Sequence, residues 1–232
     1  AVDINPVQLA YAERRFAGGF HAFPGGRLDP DDPLVPVKGA DGEEAALVAC
    51  ATRELFEETG ILLAEGAAHL GAGERRSGRA ALLDGSLGWR AFLAQHGLGL
   101  SAALLAPAGR WVTPEYLPLR YDARLFLVRL PEGERAEIWP GELSGGEFVP
   151  AARALARWEK GELLLFPPNL FATREVAREG EPSAERLRSP PERARRVEFQ
   201  GGVVLAALRT PTLPPATHTN AWLLPVDGGV AI

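Results

Sequence analysis

Residues Arg53 to Ile61 read Arg-Glu-Leu-Phe-Glu-Glu-Thr-Gly-Ile and are the most informative part of the sequence. Apolar residues upstream repeat at helical spacing and a glycine follows, so the pattern predicts a helix over 43–59. On such a helix Glu54, Glu57 and Glu58 are three or four residues apart and share one face. Carboxylates at this spacing repel one another, and a bound hard cation such as Mg²⁺ would reverse that repulsion.

Two interpretations of this acidic face are open from the helix alone. It is either a solvated surface on which Arg53 makes ordinary ion pairs, or a metal site in which Arg53 orients the carboxylates. The residues around the helix are therefore needed to decide between the two interpretations.

The pattern resembles the signature of the Nudix hydrolase family, G-x5-E-x7-R-E-U-x-E-E-x-G-U, in which U is a bulky aliphatic residue. Gly39 stands at the distance of the opening glycine, and the Phe-Pro-Gly-Gly of Phe23–Gly26 is similar to the strand and turn that precede the signature. One position departs, because Ala45 stands where the first glutamate is expected. The second half is matched at each fixed position, namely Arg53, Glu54, Leu55, Glu57, Glu58, Gly60 and Ile61.

The resemblance implies an α+β fold, with a mixed β-sheet between α-helices. We expect a Nudix hydrolase domain over 1–209, with a helical insertion at about 75–106. Residues 210–232 would form a C-terminal tail that adds a strand or docks a partner.

The same resemblance assigns roles to the signature residues. Glu54, Glu57 and Glu58 would hold Mg²⁺ or Mn²⁺, together with the backbone carbonyl of Gly26, and Arg53 would belong to the catalytic set. The general base would be Glu57 or a glutamate near a short strand predicted at 147–149, with Glu142 preferred to Glu147.

The substrate is less closely specified than the chemistry. Short islands around Arg15, Trp111 and Tyr121 look like the coenzyme A diphosphatase branch of the family and its bacterial relatives. Guanidinium groups suit phosphate oxygens, so the candidate phosphate clamps are Arg15, Arg27 and Arg124. Trp111 or Tyr121 could stack on an adenine. For each of these residues a surface arginine or a core aromatic is the competing interpretation.

Coenzyme A or an acyl-CoA is therefore the leading substrate. ADP-ribose, a dinucleotide or another nucleoside diphosphate derivative is the alternative within the same chemistry. A catalytically inactive Nudix-fold module that binds nucleotides is the alternative from another class, and Ala45 is its support.

Composition limits the partners. The 232 residues carry a net charge of −5 and a pI of about 5.5, so no overall basic field favours nucleic acid. Cys50 is the single cysteine, which excludes an intramolecular disulfide framework and fits a reducing, cytoplasmic setting. No apolar run approaches the ~20 residues of a membrane helix. We expect a small-molecule substrate, no nucleic-acid or membrane partner, and a homodimer.

Overall fold

The computed structural model describes residues 20–113, 121–139, 145–179, 197–209, 218–227 and 229–231. Two residues of the predicted site, Arg15 and Glu142, lie outside these ranges. The described ranges contain five α-helices, which are α1 (Gly42–Thr59), α2 (Ala72–Leu83), α3 (Trp89–Gln95), α4 (Ala151–Glu159) and α5 (Pro167–Glu179). None of the described helices has the length and apolar character that crossing a membrane requires.

The described strands are short and form small sheets. They are β1 (Phe20–His21), β2 (Val37–Lys38), β3 (Leu100–Ser101), β4 (Ala106–Val112), β5 (Asp122–Leu127), β6 (Leu164–Leu165), β7 (Val197–Gln200), β8 (Val203–Arg209), β9 (His218–Val226) and β10 (Gly229–Ala231). The pairs β1–β6 and β2–β3 are parallel, β4 pairs with β5, and a four-stranded antiparallel sheet has the order β10-β9-β8-β7. This mixture of helices with parallel and antiparallel strands confirms the α+β fold class.

Helix α1 confirms the helix predicted from the sequence. It ends at Thr59 because Gly60 adopts a left-handed conformation, with φ of 73°, and donates its N–H to the carbonyl of Phe56 at 2.8 Å. Glycine adopts this conformation without the steric cost that a Cβ would impose. The end of α1, which carries Glu57 and Glu58, is thus fixed by the local sequence.

The described chain divides into two compact units. The first contains Phe23–Ala108 and Ala123–Phe148, and the second contains the described residues of the other segments. In the first unit Phe56 of α1 packs against Trp89 and Phe92 of α3, at centroid distances of 5.9 and 5.3 Å. Gly78 of α2 lets Phe92 approach closely, since a Cβ there would lie 2.2 Å from its ring. The insertion therefore forms part of the core behind α1.

The second unit has a separate apolar cluster. It is built from Trp158 and Leu163 with Leu165 and Leu170, and is flanked by a stacked pair of Phe20 and Phe166 at 4.3 Å.

Three details differ from the sequence predictions. The second part of the insertion is not helical, because Leu100–Ser101 pairs with β2 and a short 3-10 turn follows at Ala102–Leu104. Phe23–Gly26 forms no strand, because its two glycines pack against α1 rather than pairing with another strand. Residues 147–149 also form no strand, and Phe148 is 69% exposed.

The boundary at residue 209, between a Nudix domain and a C-terminal tail, remains a prediction. Strand β8 precedes the proposed tail and β9 lies within it, and the two pair from Val204–Leu223 to Arg209–His218.

Candidate active site

The predicted glutamates lie together on the C-terminal half of α1. Glu54 and Glu58 are buried, whereas the side chain of Glu57 retains 16% of its exposure. The turn of Gly25 and Gly26 packs directly on this face. A Cβ on Gly26 would lie 2.2 Å from Oε1 of Glu54, so the absence of a side chain makes room for that carboxylate.

Glu58 is held by the backbone of the same turn. The N–H of Gly25 donates to Oε2 of Glu58 at 3.0 Å. The carbonyl of Gly26 lies 4.0 Å from Sγ of Cys50, which places this oxygen against the same helix. The turn therefore supplies a donor to one carboxylate and brings a carbonyl oxygen close to α1.

Arg53 organises the other carboxylates. Its Nη1 donates to Oε1 of Glu54 at 2.9 Å and to Oε2 of Glu57 at 3.0 Å. Its Nε and Nη2 each donate to Asp32 at 3.0 Å, and Nη2 also donates to the carbonyl of Arg27 at 2.8 Å. One buried guanidinium thus fixes two glutamates of the signature relative to the turn that precedes the helix.

Asp32 was missed by the sequence reasoning. It is fully buried, and its Oδ2 also accepts the N–H of Asp29 at 2.8 Å. The connection between Gly26 and α1 reads as an ordinary loop rich in Pro and Asp, and no spacing rule links residue 32 to residue 53. The available signal was the group of aspartates at Asp29, Asp31 and Asp32, since an arginine that is buried needs a carboxylate partner.

The electrostatics of the cluster follow from burial. Removal from water raises the pKa of Glu54 to about 7, while Arg53 acts to lower it and Glu57 to raise it further. Burial also acts to lower the pKa of Arg53. The hydrogen bond to Asp32 and the charges of Glu54, Asp32 and Glu57 outweigh burial, so the pKa of Arg53 lies above its ordinary value.

Ala45, the departure from the signature, faces the hydrophobic core and is buried. It lies nine residues before Glu54, which is about 13 Å along a helix. The missing first glutamate is therefore remote from the cluster of Glu54, Glu57 and Glu58, and its replacement leaves that cluster intact.

The structure separates the predicted phosphate clamps. The side chain of Arg27 is exposed and its carbonyl contacts Arg53, so it stands next to the glutamates. Arg124 instead pairs with Glu43 at 3.3 Å, at the opposite end of α1. Eleven residues separate Glu43 from Glu54, or about 16 Å along the helix.

The remaining candidates are not gathered at the glutamates by the described contacts. Trp111 and Tyr121 belong to the second unit, where the Trp111 ring lies 6.2 Å from that of Phe171 and the Tyr121 carbonyl accepts the N–H of Thr113. Glu147 is exposed in the first unit.

An apolar cavity of about 170 Å³ lies against α1 and the residues that precede Gly25. Ala51 and Leu55 form one wall, each three residues before a signature glutamate, and Phe23 and Pro24 lead directly into the Gly25 turn. None of the lining residues has a polar side-chain atom, and the others are Leu105, Leu125, Phe126 and Val128.

Within the described ranges, no three His, Cys, Asp or Glu side chains are already arranged as metal ligands. The signature carboxylates are directed to Arg53 and to the N–H of Gly25 instead. Their chemistry nevertheless fits a hard divalent cation, since carboxylate and carbonyl oxygens are its usual ligands. Because Gly26 has no side chain, the Glu54 carboxylate lies directly against the main chain of Gly26, and both kinds of oxygen ligand are found in one place.

The comparisons with known proteins concern the fold and the family of this chain. No profile of a protein family matches the chain. The structure is similar to the crystal structure of a NUDIX hydrolase from Alicyclobacillus acidocaldarius, with a TM-score of 0.64 and 30% sequence identity. The similarity covers 76% of this chain and 85% of that chain.

The mixed α+β fold and this similarity place the chain among the hydrolases. The chain belongs to the Nudix hydrolase family. It is an enzyme, a pyrophosphohydrolase for small molecules with a nucleoside diphosphate linkage, as the sequence predicted.

Proposed function

We propose that this enzyme is a divalent-metal-dependent diphosphatase and that coenzyme A or an acyl-CoA is its substrate. The observation that carries the proposal is the bridge that Arg53 makes between Glu54 and Glu57, beside the Gly25–Gly26 turn that holds Glu58. The bridge sets carboxylates side by side on a rigid helix. Such preorganisation is what a site for phosphoryl chemistry needs, because catalysis there is mostly positioning and electrostatics.

We assign Glu54, Glu57, Glu58 and the carbonyl of Gly26 as the groups that would hold Mg²⁺ or Mn²⁺. When bound, the cation would neutralise charge on the diphosphate and increase the acidity of the attacking water. Arg53 would keep the two neighbouring carboxylates in place and limit their mutual repulsion.

For the general base we propose Glu142, with Glu57 and Glu147 as alternatives. Glu57 is both held by Arg53 and proposed as a metal ligand, which leaves it less suited to receive a proton. Replacement of the base by glutamine is expected to lower kcat and to remove the acidic limb of the pH–rate profile.

The apolar cavity supports a substrate with an uncharged portion next to the diphosphate. A cavity of ~150 Å³ lined by apolar side chains accepts one small ring, so this cavity of about 170 Å³ suits a short aliphatic segment or a single ring. Its lining offers no side-chain partner to the polar edge of a base. The apolar acyl chain of an acyl-CoA thus fits this lining better than a ribose with its hydroxyl groups, and ADP-ribose and dinucleotides remain the alternatives.

The test is a substrate panel read by mass spectrometry. The purified protein is incubated with Mg²⁺ or Mn²⁺ and with coenzyme A, acetyl-CoA, longer acyl-CoAs, ADP-ribose, NADH, diadenosine polyphosphates and nucleoside triphosphates. We expect metal-dependent formation of phosphopantetheine, or its acyl derivative, and adenosine 3′,5′-bisphosphate. Cleavage of another member alone would keep the chemistry and overturn the coenzyme A assignment.

Two variants and a chelator serve as controls for the substrate panel. Glu57→Gln keeps the shape of a proposed ligand and removes its charge, whereas Glu44→Gln makes the same change at an exposed position near the start of α1. EDTA and Glu57→Gln are expected to abolish most turnover, and Glu44→Gln is expected to retain it. Nucleotide binding without any product would favour the inactive-module alternative.

We also propose that residues 1–209 form the Nudix domain with 210–232 as a tail, that the protein is cytoplasmic, and that it forms a homodimer without nucleic-acid or membrane partners. Light scattering at micromolar concentration tests the dimer.

A further inference from the structure

We propose that the helical insertion sets the position of the last turn of α1 through the buried guanidinium of Arg79, which makes Arg79 a positioning residue for the hydrolysis. This inference rests on the proposed function, because that turn carries the proposed ligands Glu57 and Glu58. The contact itself joins α2, α1 and the segment that follows β5.

Arg79 lies on α2 and is 2% exposed. Its Nε donates to the backbone carbonyl of Glu57 at 2.8 Å, and its Nη1 donates to the backbone carbonyl of Glu137 at 2.8 Å. The ring of Trp139 covers the guanidinium, with 4.4 Å between Cζ and the ring centroid. Both acceptors are backbone atoms, so the contact fixes main chain rather than flexible side chains.

The contact falls where α1 needs partners. The last four carbonyls of an α-helix find no N–H partner within the helix and must accept hydrogen bonds from groups outside it. Here the Phe56 carbonyl accepts from Gly60, that of Glu57 accepts from Arg79, and that of Thr59 accepts from the N–H of Glu137 at 2.7 Å. A positive charge at a helix C-terminus is also favourable to the helix dipole.

The consequence for catalysis is geometric. The carbonyl that Arg79 holds belongs to Glu57, whose carboxylate is a proposed metal ligand. A misplacement of ~1 Å in an active site can cost about 100-fold in rate. The same guanidinium holds Glu137, five residues before the proposed base Glu142. Arg79 therefore ties the ligand-bearing turn of α1 to the main chain at Glu137.

The chain supplies a matched control one turn earlier on α2. Arg76 pairs with the side chain of Glu137 at 3.2 Å, and the two side chains are 65% and 50% exposed. It has the same chemical type and the same partner residue, but an exposed ion pair of this kind contributes little.

The experiment compares Arg79→Met, Arg79→Lys and Arg76→Gln with the wild type. For each we measure kcat, KM, the Mg²⁺ concentration for half-maximal rate, the unfolding midpoint, and hydrogen exchange at the amides of Gly60 and Glu137. If Arg79→Met does not fold, Trp139→Leu replaces it as a milder variant, because it removes the ring that covers the guanidinium.

We expect Arg79→Met to lower kcat at least ten-fold with KM changed less than three-fold, to raise the Mg²⁺ requirement, and to speed exchange at both amides. Arg79→Lys, which can replace one of the two hydrogen bonds, should recover part of kcat. Arg76→Gln should match the wild type in every readout.

Unchanged kcat and exchange in folded Arg79 variants would overturn the inference, as would a loss of stability with kcat per folded molecule intact. An inactive wild type would instead contradict the proposed function. Exchange at Gly60 and Glu137 would still test the contact in that case.

Discussion

Arg53 and Asp32 form a two-pronged ion pair in which Nε and Nη2 of the arginine each lie 3.0 Å from a separate oxygen of the aspartate. The pair is buried and joins the connection before α1 to the signature itself. It leaves Nη1 of Arg53 directed at Glu54 and Glu57. The orientation of two proposed metal ligands thus depends on an aspartate outside the signature.

Replacing Asp32 by asparagine should therefore damage both stability and activity. Removing one partner of a buried ion pair costs about 3–5 kcal/mol when the remaining charge is left unpaired. Arg53 keeps its bonds to Glu54 and Glu57, so we expect a cost at the lower end of that range. We expect Asp32→Asn to lower the free energy of unfolding by ~3 kcal/mol, and kcat at least ten-fold, measured by urea unfolding and steady-state assay. Asp31→Asn, whose partner Arg90 is exposed, is the control. Wild-type kcat in Asp32→Asn would refute the dependence.

Gly26→Ala should lower activity through sterics alone. Its Cβ would lie 2.2 Å from Oε1 of Glu54, and the backbone of Gly26 is not among those with positive φ, so alanine meets no conformational strain there. The carboxylate of Glu54 must move, and we expect kcat to fall by roughly 100-fold. Gly73→Ala, on α2 with open space around it, should stabilise the protein by about 0.5–1 kcal/mol without changing kcat.

Arg27 and Arg124 should differ as phosphate clamps. Arg27 adjoins the glutamates through its carbonyl contact with Arg53, whereas Arg124 lies beside Glu43. We expect Arg27→Ala to raise KM about ten-fold with a small change in kcat, and Arg124→Ala to raise KM less. Steady-state kinetics with the best substrate measure both. An equal or larger effect at Arg124 would reverse the assignment.

The raised pKa of Glu54 predicts a pH-dependent stability in the presence of EDTA. Its folded pKa of about 7 exceeds the ordinary 4.5 because burial disfavours the charge. The unfolded chain therefore loses this proton first as pH rises, and stability falls between pH 4.5 and 7. The slope is up to about 1.4 kcal/mol per pH unit.

Glu54→Gln cannot lose that proton and should show a shallower dependence over the same window. Urea unfolding of both proteins at pH 4.5, 5.5, 6.5 and 7.5 gives the comparison. Parallel curves would mean that the folded pKa of Glu54 is not raised above its ordinary value, which would contradict the prediction.

The spacing of residues along the chain was sufficient to predict α1 and its acidic face. The helical spacing of apolar residues and Gly60 set the bounds, and the three- and four-residue spacing of the glutamates put them on one face. These features depend only on neighbours along the chain. The family and its fold class followed from the same stretch, and both are confirmed.

Contacts between distant residues could not be predicted in this way. Asp32 reaches Arg53 across 21 residues and Arg79 reaches Glu57 across 22. Arg124 was grouped with Arg27 by residue type, yet it lies at the other end of α1. Phe23–Gly26 was predicted to be a strand that enters a glycine turn, but no strand forms there and the two glycines lie against α1. Tertiary packing decides each of these positions.

The most direct test of the account is the product analysis of coenzyme A with wild-type protein and Glu57→Gln, each with Mg²⁺ and with EDTA. We predict phosphopantetheine and adenosine 3′,5′-bisphosphate in equal amounts from the wild type with Mg²⁺, and at most a few per cent of that rate from the other three reactions. Equal turnover by folded Glu57→Gln, or undiminished turnover by the wild type in EDTA, would contradict the assignment of the α1 glutamates as a metal-dependent catalytic site.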